Sequence, residues 1–214
     1  MQNSRIPRSS QLGPHPRLES TVKRHLKTLW RQPLRGFSHA AFESLGDLAN
    51  RDIVLDAGCG NGHSTALLAQ QFPDSLVIGV DRSAARLGSA SKLPENAVLL
   101  RADLADFWRL ARAAGWRLKR HYLLYPNPWP KPGHLKRRWH AHPVWPDLLV
   151  LGGGLELRTN FEIYAREFVD ALDLAGCQAH FRVLSLGGEK AISPFEQKYL
   201  QSGHDLFQVC ADLH

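Results

Sequence analysis

From Asp52 onward, short apolar runs alternate with amphipathic stretches of helical period. Ile53-Val54-Leu55, Leu76–Val80, Ala97–Leu100 and His121–Tyr125 are runs of this kind, and each ends in a turn or a polar cluster. Unbroken apolar runs of strand length suit strands covered on both faces. Between them, the apolar spacing predicts helices over 64–71, 83–91 and 104–114, the first closed by Pro73. A short helix near 146–151, a strand over 155–158, a helix over 164–174 and strands over 179–184 and 206–210 complete the pattern. Alternation of this type predicts an α/β chain: a Rossmann-like, doubly wound, mostly parallel seven-stranded sheet with helices on both faces.

The first 36 residues differ from the rest. Arg5, Arg8, Arg17, Lys23, Arg24, Lys27, Arg31 and Arg35 stand against a single acid, Glu19. Pro7, Pro14 and Pro16 break helical periodicity, so residues 1–36 are expected to form a basic, flexible arm with a short helix over 20–30. Residues 37–214 are expected to form one α/β domain, which 214 residues suffice to build.

Composition narrows the class. Hydrophobic residues at 43% and charged residues at 22% describe a globular chain rather than a disordered one. No apolar run approaches the ~20 residues of a membrane span, and the N-terminus lacks the apolar stretch of a secretory signal. A cytoplasmic protein is expected. Cys59, Cys177 and Cys210 are scattered singly, which gives neither a disulfide framework nor zinc-ligand spacing. The net charge of +7 favours polyanionic partners, although charge also serves solubility.

The strongest local pattern is Val54-Leu55-Asp56-Ala57-Gly58-Cys59-Gly60-Asn61-Gly62. Glycines at a strand-to-helix turn let the backbone approach a ligand, and ligands in open parallel sheets bind at the carboxyl ends of strands. Asp56 ends the first strand, where a carboxylate repels pyrophosphate but accepts a hydrogen bond from an ammonium. Asp81 ends the second, at the place where an acid accepts from ribose hydroxyls. Asp103 follows the third, placed to accept from an adenine amino group. A dinucleotide fingerprint needs glycine at position 63, which is His63. Gly58 and Gly60 with three acids at successive strand ends resemble the class I methyltransferases, and that resemblance implies S-adenosylmethionine as cofactor.

After the fourth strand comes Tyr125-Pro126-Asn127-Pro128-Trp129-Pro130-Lys131, followed by a basic stretch to Arg138. In this fold the loop is expected beside the transferable methyl group. Prolines restrict the backbone around Asn127, Trp129 offers a stacking face, and Lys131, Lys136, Arg137 and Arg138 are expected to meet phosphates.

This segment resembles the P-D-P-W-x-K-K-R-H-x-K-R-R signature of the bacterial tRNA (guanine-N7-)-methyltransferase family. Thr159-Asn160 through Tyr164 resembles its T-D-x-x-x-Y stretch, and Ser193-Pro194-Phe195-Glu196 its T-x-F-E block. Motif order is kept from Asp52 to the end. The resemblance implies methylation of guanine N7 at position 46 of tRNA. It puts Asp56, Gly58, Gly60, Asp81, Asp103 and Asn127 on the cofactor side, with Asn127 also catalytic. Lys131, Asn160, Ser193, Phe195 and Glu196 fall on the RNA side, where Glu196 is expected to accept from guanine N1–H and the 2-amino group.

The family's two aspartates are Asn127 and Asn160 here, and its threonine is Ser193. Asparagine offers donors as well as an acceptor, whereas aspartate only accepts. Two other readings therefore stand beside the first: N-methylation of another base or protein amino group, and a non-catalytic RNA-binding relative. His134, His140 and His142 lie in a basic setting without carboxylates at ligand spacing, so surface or RNA-contacting histidines are expected and no metal. No heptad or apolar patch argues against a monomer.

Overall fold

The computed structural model describes residues 4–48, 51–90, 92–185 and 190–214. Seven strands form in chain order: β1 (Ile53–Ala57), β2 (Leu76–Asp81), β3 (Ala97–Arg101), β4 (Arg120–Leu124), β5 (Gly153–Thr159), β6 (Ala179–Val183) and β7 (Phe207–Leu213). Their order in the sheet is β3-β2-β1-β4-β5-β7-β6. β1 pairs in parallel with β2 and with β4, and β2 with β3, whereas β6 and β7 pair antiparallel. The chain forms two units. One contains Arg31–Leu124, Asp147–Leu155 and Leu213–His214; the other contains the first thirty residues, Tyr125–Pro146 and Glu156–Asp212.

The first unit carries β1 to β4. All five residues of β1 are buried, as the unbroken apolar run requires of a strand covered on both faces. Helices α3 (His63–Gln71) and α5 (Leu104–Ala113) follow β1 and β3. Leu68, Phe107 and Trp108 are fully buried with Val54, Leu55, Val77 and Ile78. The sequence pattern did not mark α2 (Gly36–Glu43), which packs on α5 through Phe42, 5.5 Å from the Phe107 ring and 4.8 Å from Trp116. Helix α4 spans only Ala84–Leu87, shorter than the helix expected over 83–91, whose residue 91 lies outside the described residues. Gly88 caps it, and a Gly-Ser-Ala stretch propagates a helix poorly. The short helix near residue 146 is α6 (Trp145–Leu149).

The second unit contains α1 (Leu18–Leu26), α7 (Glu162–Leu174) and α8 (Pro194–Gln201). Leu18, Thr21, Val22 and His25 are the buried face of α1, at the spacing of one helical stripe, and α1 packs against α7. The short helix expected over 20–30 is α1, starting two residues earlier and ending at Leu26, and it is docked on α7 rather than carried on a free arm. Upstream of it, Gln11 and the His15 backbone N–H donate to Oε1 of Glu167 on α7 at 3.2 and 2.9 Å. Helix α8 was not foreseen, although Ser193-Pro194-Phe195-Glu196 is a helix start by its own chemistry. Ser193 Oγ accepts from the Glu196 N–H at 3.1 Å, and Pro194 occupies the first turn, where no N–H is needed.

Candidate active site

In the first unit, polar groups gather at the carboxyl ends of the parallel strands. The chain leaves β1 through Gly58, Gly60 and Gly62, with φ of 88°, 61° and 77°, a region that side chains other than glycine enter at a cost. Two of the glycines serve different ends. A Cβ at Gly62 would lie 2.7 Å from Leu99 Cδ1, so this glycine is needed for packing, whereas a Cβ at Gly60 would meet nothing within 4 Å. The turn is tied to β2: the N–H groups of Gly58 and Cys59 donate to the Val80 carbonyl at 2.8 and 3.1 Å.

Asp56 is 1% exposed. Its Oδ2 accepts from Ser64 Oγ and Thr65 Oγ1, both at 2.7 Å, while Oδ1 is buried with no partner among the described residues. Burial pushes this carboxyl up to about 6, against the pull of the two hydroxyls. A buried carboxylate oxygen without a donor is costly, and a ligand ammonium would satisfy it.

Asp81 is nearly saturated. Oδ2 accepts from the Gly60 N–H at 3.0 Å, and Oδ1 from the Ser83 N–H at 2.7 Å and Arg86 Nη2 at 2.9 Å. A carboxylate has about four lone-pair sites, so one is left for a hydroxyl unless Arg86, half exposed, swings away. Asp103 caps α5 through Oδ1, which accepts from the Ala105 N–H at 3.1 Å. Arg35 and Arg82 lie 3.5 and 3.8 Å from its two oxygens.

In the second unit, the loop after β4 is held in an unusual conformation. Tyr125 and Trp129 have φ of 53° and 43°, the non-glycine residues with positive φ among those described. Each such conformation costs ~1–3 kcal/mol and persists where surrounding contacts over-determine it. Tyr125 donates its N–H to the Arg158 carbonyl at 2.8 Å and its hydroxyl to Glu196 Oε2 at 2.7 Å. The Trp129 carbonyl accepts from Nε and Nη2 of Arg138 at 3.2 and 3.1 Å, and the Arg137 guanidinium lies 4.7 Å above the Trp129 ring. Asn127 stands exposed between these two fixed residues, its Oδ1 3.4 Å from the Trp129 N–H.

The basic stretch divides by burial. Lys131, Lys136 and Arg137 are exposed, as phosphate contacts require. Arg138 is not: it has no exposed surface and pairs with Glu167 and Gln11, so the expectation that it meets phosphates is corrected. Desolvating a guanidinium is costly unless a carboxylate compensates it, and Glu167 does so. Burial raises the Glu167 carboxyl, but hydrogen bonds from His140 and Arg138 outweigh it and hold the group at about 2. His140 is fully buried against Glu167, and His142 is half-buried with its ring 4.9 Å from Trp30 and 5.5 Å from Trp139. Neither is the surface or RNA-contacting histidine expected. Only His134, 5.4 Å from the Trp129 ring, stays at the loop's surface layer.

The remaining residues cluster around α8. Glu196 has no exposed surface, and its oxygens accept from Tyr125, from Arg158 Nη1 at 3.0 and 3.2 Å, and from the Ile192 N–H at 3.2 Å. A carboxylate so engaged positions its neighbours, which corrects the expectation that it contacts guanine directly. Phe195, one residue before, is 46% exposed. Asn160 is 8% exposed, and its Nδ2 lies 3.0 Å from His204 Nδ1.

Residues 50–209 match a family model described as a putative methyltransferase. The chain is 31% identical to a tRNA (guanine-N(7)-)-methyltransferase of Halorhodospira halophila, with 90% of this chain and 89% of that protein covered. It is 29% identical to one of Alkalilimnicola ehrlichii, over 90% and 87%. The crystal structure of the 16S rRNA methyltransferase KamB superposes with a TM-score of 0.57 at 17% identity, covering 85% of this chain and 95% of that one, a likeness of fold alone. With its motifs in order along a doubly wound sheet, the chain belongs to the tRNA (guanine-N7-)-methyltransferase family.

Proposed function

We propose that this enzyme methylates N7 of a guanine in the tRNA variable loop, at the position conventionally numbered 46, using S-adenosylmethionine. The observation that carries the cofactor reading is the buried Oδ1 of Asp56 behind the glycine turn, which has no partner among the described residues. It fits an ammonium and does not fit a pyrophosphate. When bound, S-adenosylmethionine supplies an electrophilic methyl group on a sulfonium centre. Asp56 accepts from its ammonium, Asp81 from a ribose hydroxyl and Asp103 from the adenine amino group, while Gly58 and Gly60 leave the backbone open to close approach.

Guanine N7 carries an in-plane lone pair and needs no base to deprotonate it. Alignment therefore supplies most of the acceleration, and the protein's task is to hold the base still. Tyr125 and Trp129 fix the backbone on either side of Asn127, whose carbonyl oxygen is the acceptor offered there. Lys131, Lys136 and Arg137 take backbone phosphates, Trp129 and Phe195 supply stacking faces, and Ser193 and Glu196 hold α8 and Arg158 in place. Basic residues of the first 36 add to RNA binding. No helix among the described residues is long and apolar enough to cross a membrane, and the reading is of a monomer acting in the cytoplasm.

The test is methyl transfer from labelled S-adenosylmethionine to tRNA that lacks N7-methylguanosine, with nucleoside mass analysis. N7-methylguanosine in the variable loop is the expected product. A different methylated nucleoside overturns the N7 assignment, and binding of both partners without any product overturns the catalytic reading.

A further inference from the structure

Asn160 and His204 form a chain of hydrogen bonds that ends on the backbone of residue 4. The His204 ring lies with Nε2 2.9 Å from the Ser4 carbonyl oxygen and Nδ1 3.0 Å from Asn160 Nδ2. A carbonyl oxygen only accepts, so an imidazole carrying one proton must carry it on Nε2. Nδ1 is then the lone-pair nitrogen and requires a donor. Of the two ends of the Asn160 amide, only the NH2 group donates, so the oxygen must turn away from His204. That oxygen has no partner among the described residues, and Asn160 lines a cavity of about 240 Å³ with Ile6, Pro7, Phe161, His204 and Phe207.

The rest of the chain of bonds is firmly placed. The Ser4 N–H donates to Ser202 Oγ at 3.1 Å, and that hydroxyl is itself tied to the Lys198 carbonyl at 2.8 Å. The His204 ring stacks on Tyr199 with centroids 5.2 Å apart and planes 15° apart. Further along the same segment, Ser9 Oγ donates to the Pro130 carbonyl at 2.6 Å. The N-terminal segment therefore reaches both Asn160's partner and the loop that carries Asn127.

We propose that His204, held by the Ser4 carbonyl, is a positioning residue that fixes the Asn160 amide with its NH2 group turned to His204 and its oxygen turned to the substrate. An amide free to turn presents a donor or an acceptor, and reads bases with opposite edges equally. A locked oxygen accepts only, and selects a base edge with donors. Guanine has two adjacent donors, N1–H and the 2-amino group, whereas adenine has one, its 6-amino group, beside an N1 that only accepts. Asparagine thereby does the work of an acceptor-only carboxylate without adding charge, which accounts for its presence where the family pattern has aspartate. The inference rests on the guanine reading above.

The experiment uses the full chain and compares His204→Phe with the double variant His204→Phe/Asn160→Asp. Phenylalanine keeps the ring on Tyr199 and removes both nitrogens. His204→Phe is expected to raise KM for tRNA about tenfold, the scale of one good hydrogen bond, with kcat and cofactor affinity little changed. Adding Asn160→Asp should return KM to within about threefold of wild type, because both carboxylate oxygens accept and orientation no longer matters. A purely structural role predicts the reverse, since a carboxylate beside phenylalanine is buried without a partner. A folded double variant no better than His204→Phe overturns the proposal. Nitrogen-15 shifts of the His204 ring give an independent arm: a proton on Nε2 facing the Ser4 carbonyl is expected, and protonation on Nδ1 overturns the relay. If wild type makes no N7-methylguanosine in tRNA, the functional reading fails, and the ring shifts decide the relay without it.

Discussion

Thr65 Oγ1 donates to Asp56 Oδ2 at 2.7 Å, from the third residue of the helix that follows the strand in which Asp56 is the last residue but one. With Ser64 it satisfies one carboxylate oxygen and leaves the other buried without a partner among the described residues. Burial raises the folded-state value from 3.8 to about 6. The free protein therefore gains from protonation: the contribution of this group is fully present below about pH 4 and is lost as pH rises through 6. The difference is about 3 kcal/mol.

Cofactor binding runs the other way. An ammonium ligand needs the ionised carboxylate, so affinity should fall as pH drops below 6, and binding near pH 5 should release close to one proton. Calorimetry in two buffers of different ionisation enthalpy reads this directly. Asp56→Asn should weaken binding and abolish the proton release. Identical heats in both buffers at pH 5 would remove Asp56 from the ammonium's partners.

The buried Arg138–Glu167 pair makes a stability prediction. Glu167 also accepts from His140, Gln11 and the His15 backbone, so one carboxylate ties α7, α1's approach and the loop together. Arg138→Ala leaves that carboxylate buried and short of its main cation, at an expected cost of about 3–5 kcal/mol in urea unfolding. Arg138→Lys should recover only part, because an ammonium cannot serve Glu167, Gln11 and the Trp129 carbonyl at once. The contribution of Glu167 is present above pH 4.5 and is lost as pH falls through about 2, so acid unfolding of the variants should begin earlier. A cost under about 1 kcal/mol for Arg138→Ala would contradict this account.

Arg5 and Arg8 make no ion pair among the described residues, and with Ser4, Ile6, Ser202 and His204 they line a cavity of about 930 Å³. The segment that bears them is tied down at Ser4 and Ser9, so little ordering entropy is lost when RNA arrives. Arg5→Gln/Arg8→Gln should weaken tRNA binding and reduce the slope of log affinity against log salt by about 1.5, leaving cofactor affinity unchanged. An unchanged slope in filter binding from 50 to 200 mM salt would show that these arginines meet no phosphate.

Much of the fold was legible because buried parallel strands announce themselves as unbroken apolar runs, as at Ile53–Leu55 and Leu76–Val80. The acids at Asp56, Asp81 and Asp103 were legible for a related reason, since a strand's end fixes where its next residue lies. Burial within the basic stretch was not. Lys136, Arg137 and Arg138 are chemically alike in sequence, and only Glu167, twenty-nine residues beyond Arg138, separates the buried one from the exposed two. The same holds for His140. The backbone of Tyr125 and Trp129 was hidden as well, because a positive φ at an aromatic residue runs against its intrinsic preference and is imposed by remote partners such as Arg138 and Glu196. The start of α8 was readable in Ser193 through Glu196, as a serine followed by proline at the first helical position and glutamate at the third.

Phe195 and Glu196 are adjacent, yet their exposures of 46% and 0% assign them opposite work. The Phe195 ring stacks on Tyr199 with centroids 6.3 Å apart, and the residue is exposed. Phe195→Ala should leave stability nearly intact while weakening RNA binding by about 1–3 kcal/mol, the worth of one base-stacking contact. Glu196→Gln keeps the shape and removes the charge that Arg158, the Tyr125 hydroxyl and the Ile192 N–H share. Burial, then the Glu196 charge, raises the Tyr125 phenol above its ordinary value, so Tyr125 stays a donor at working pH and loses a charged acceptor in the variant. Unfolding should cost about 1.5–3 kcal/mol less free energy, and kcat should fall because the strained turn at Tyr125 relaxes. Thermal unfolding with single-turnover kinetics on both variants separates the two roles. If Phe195→Ala destabilises and Glu196→Gln only weakens binding, the assignment is reversed and the carboxylate, not the ring, faces the RNA.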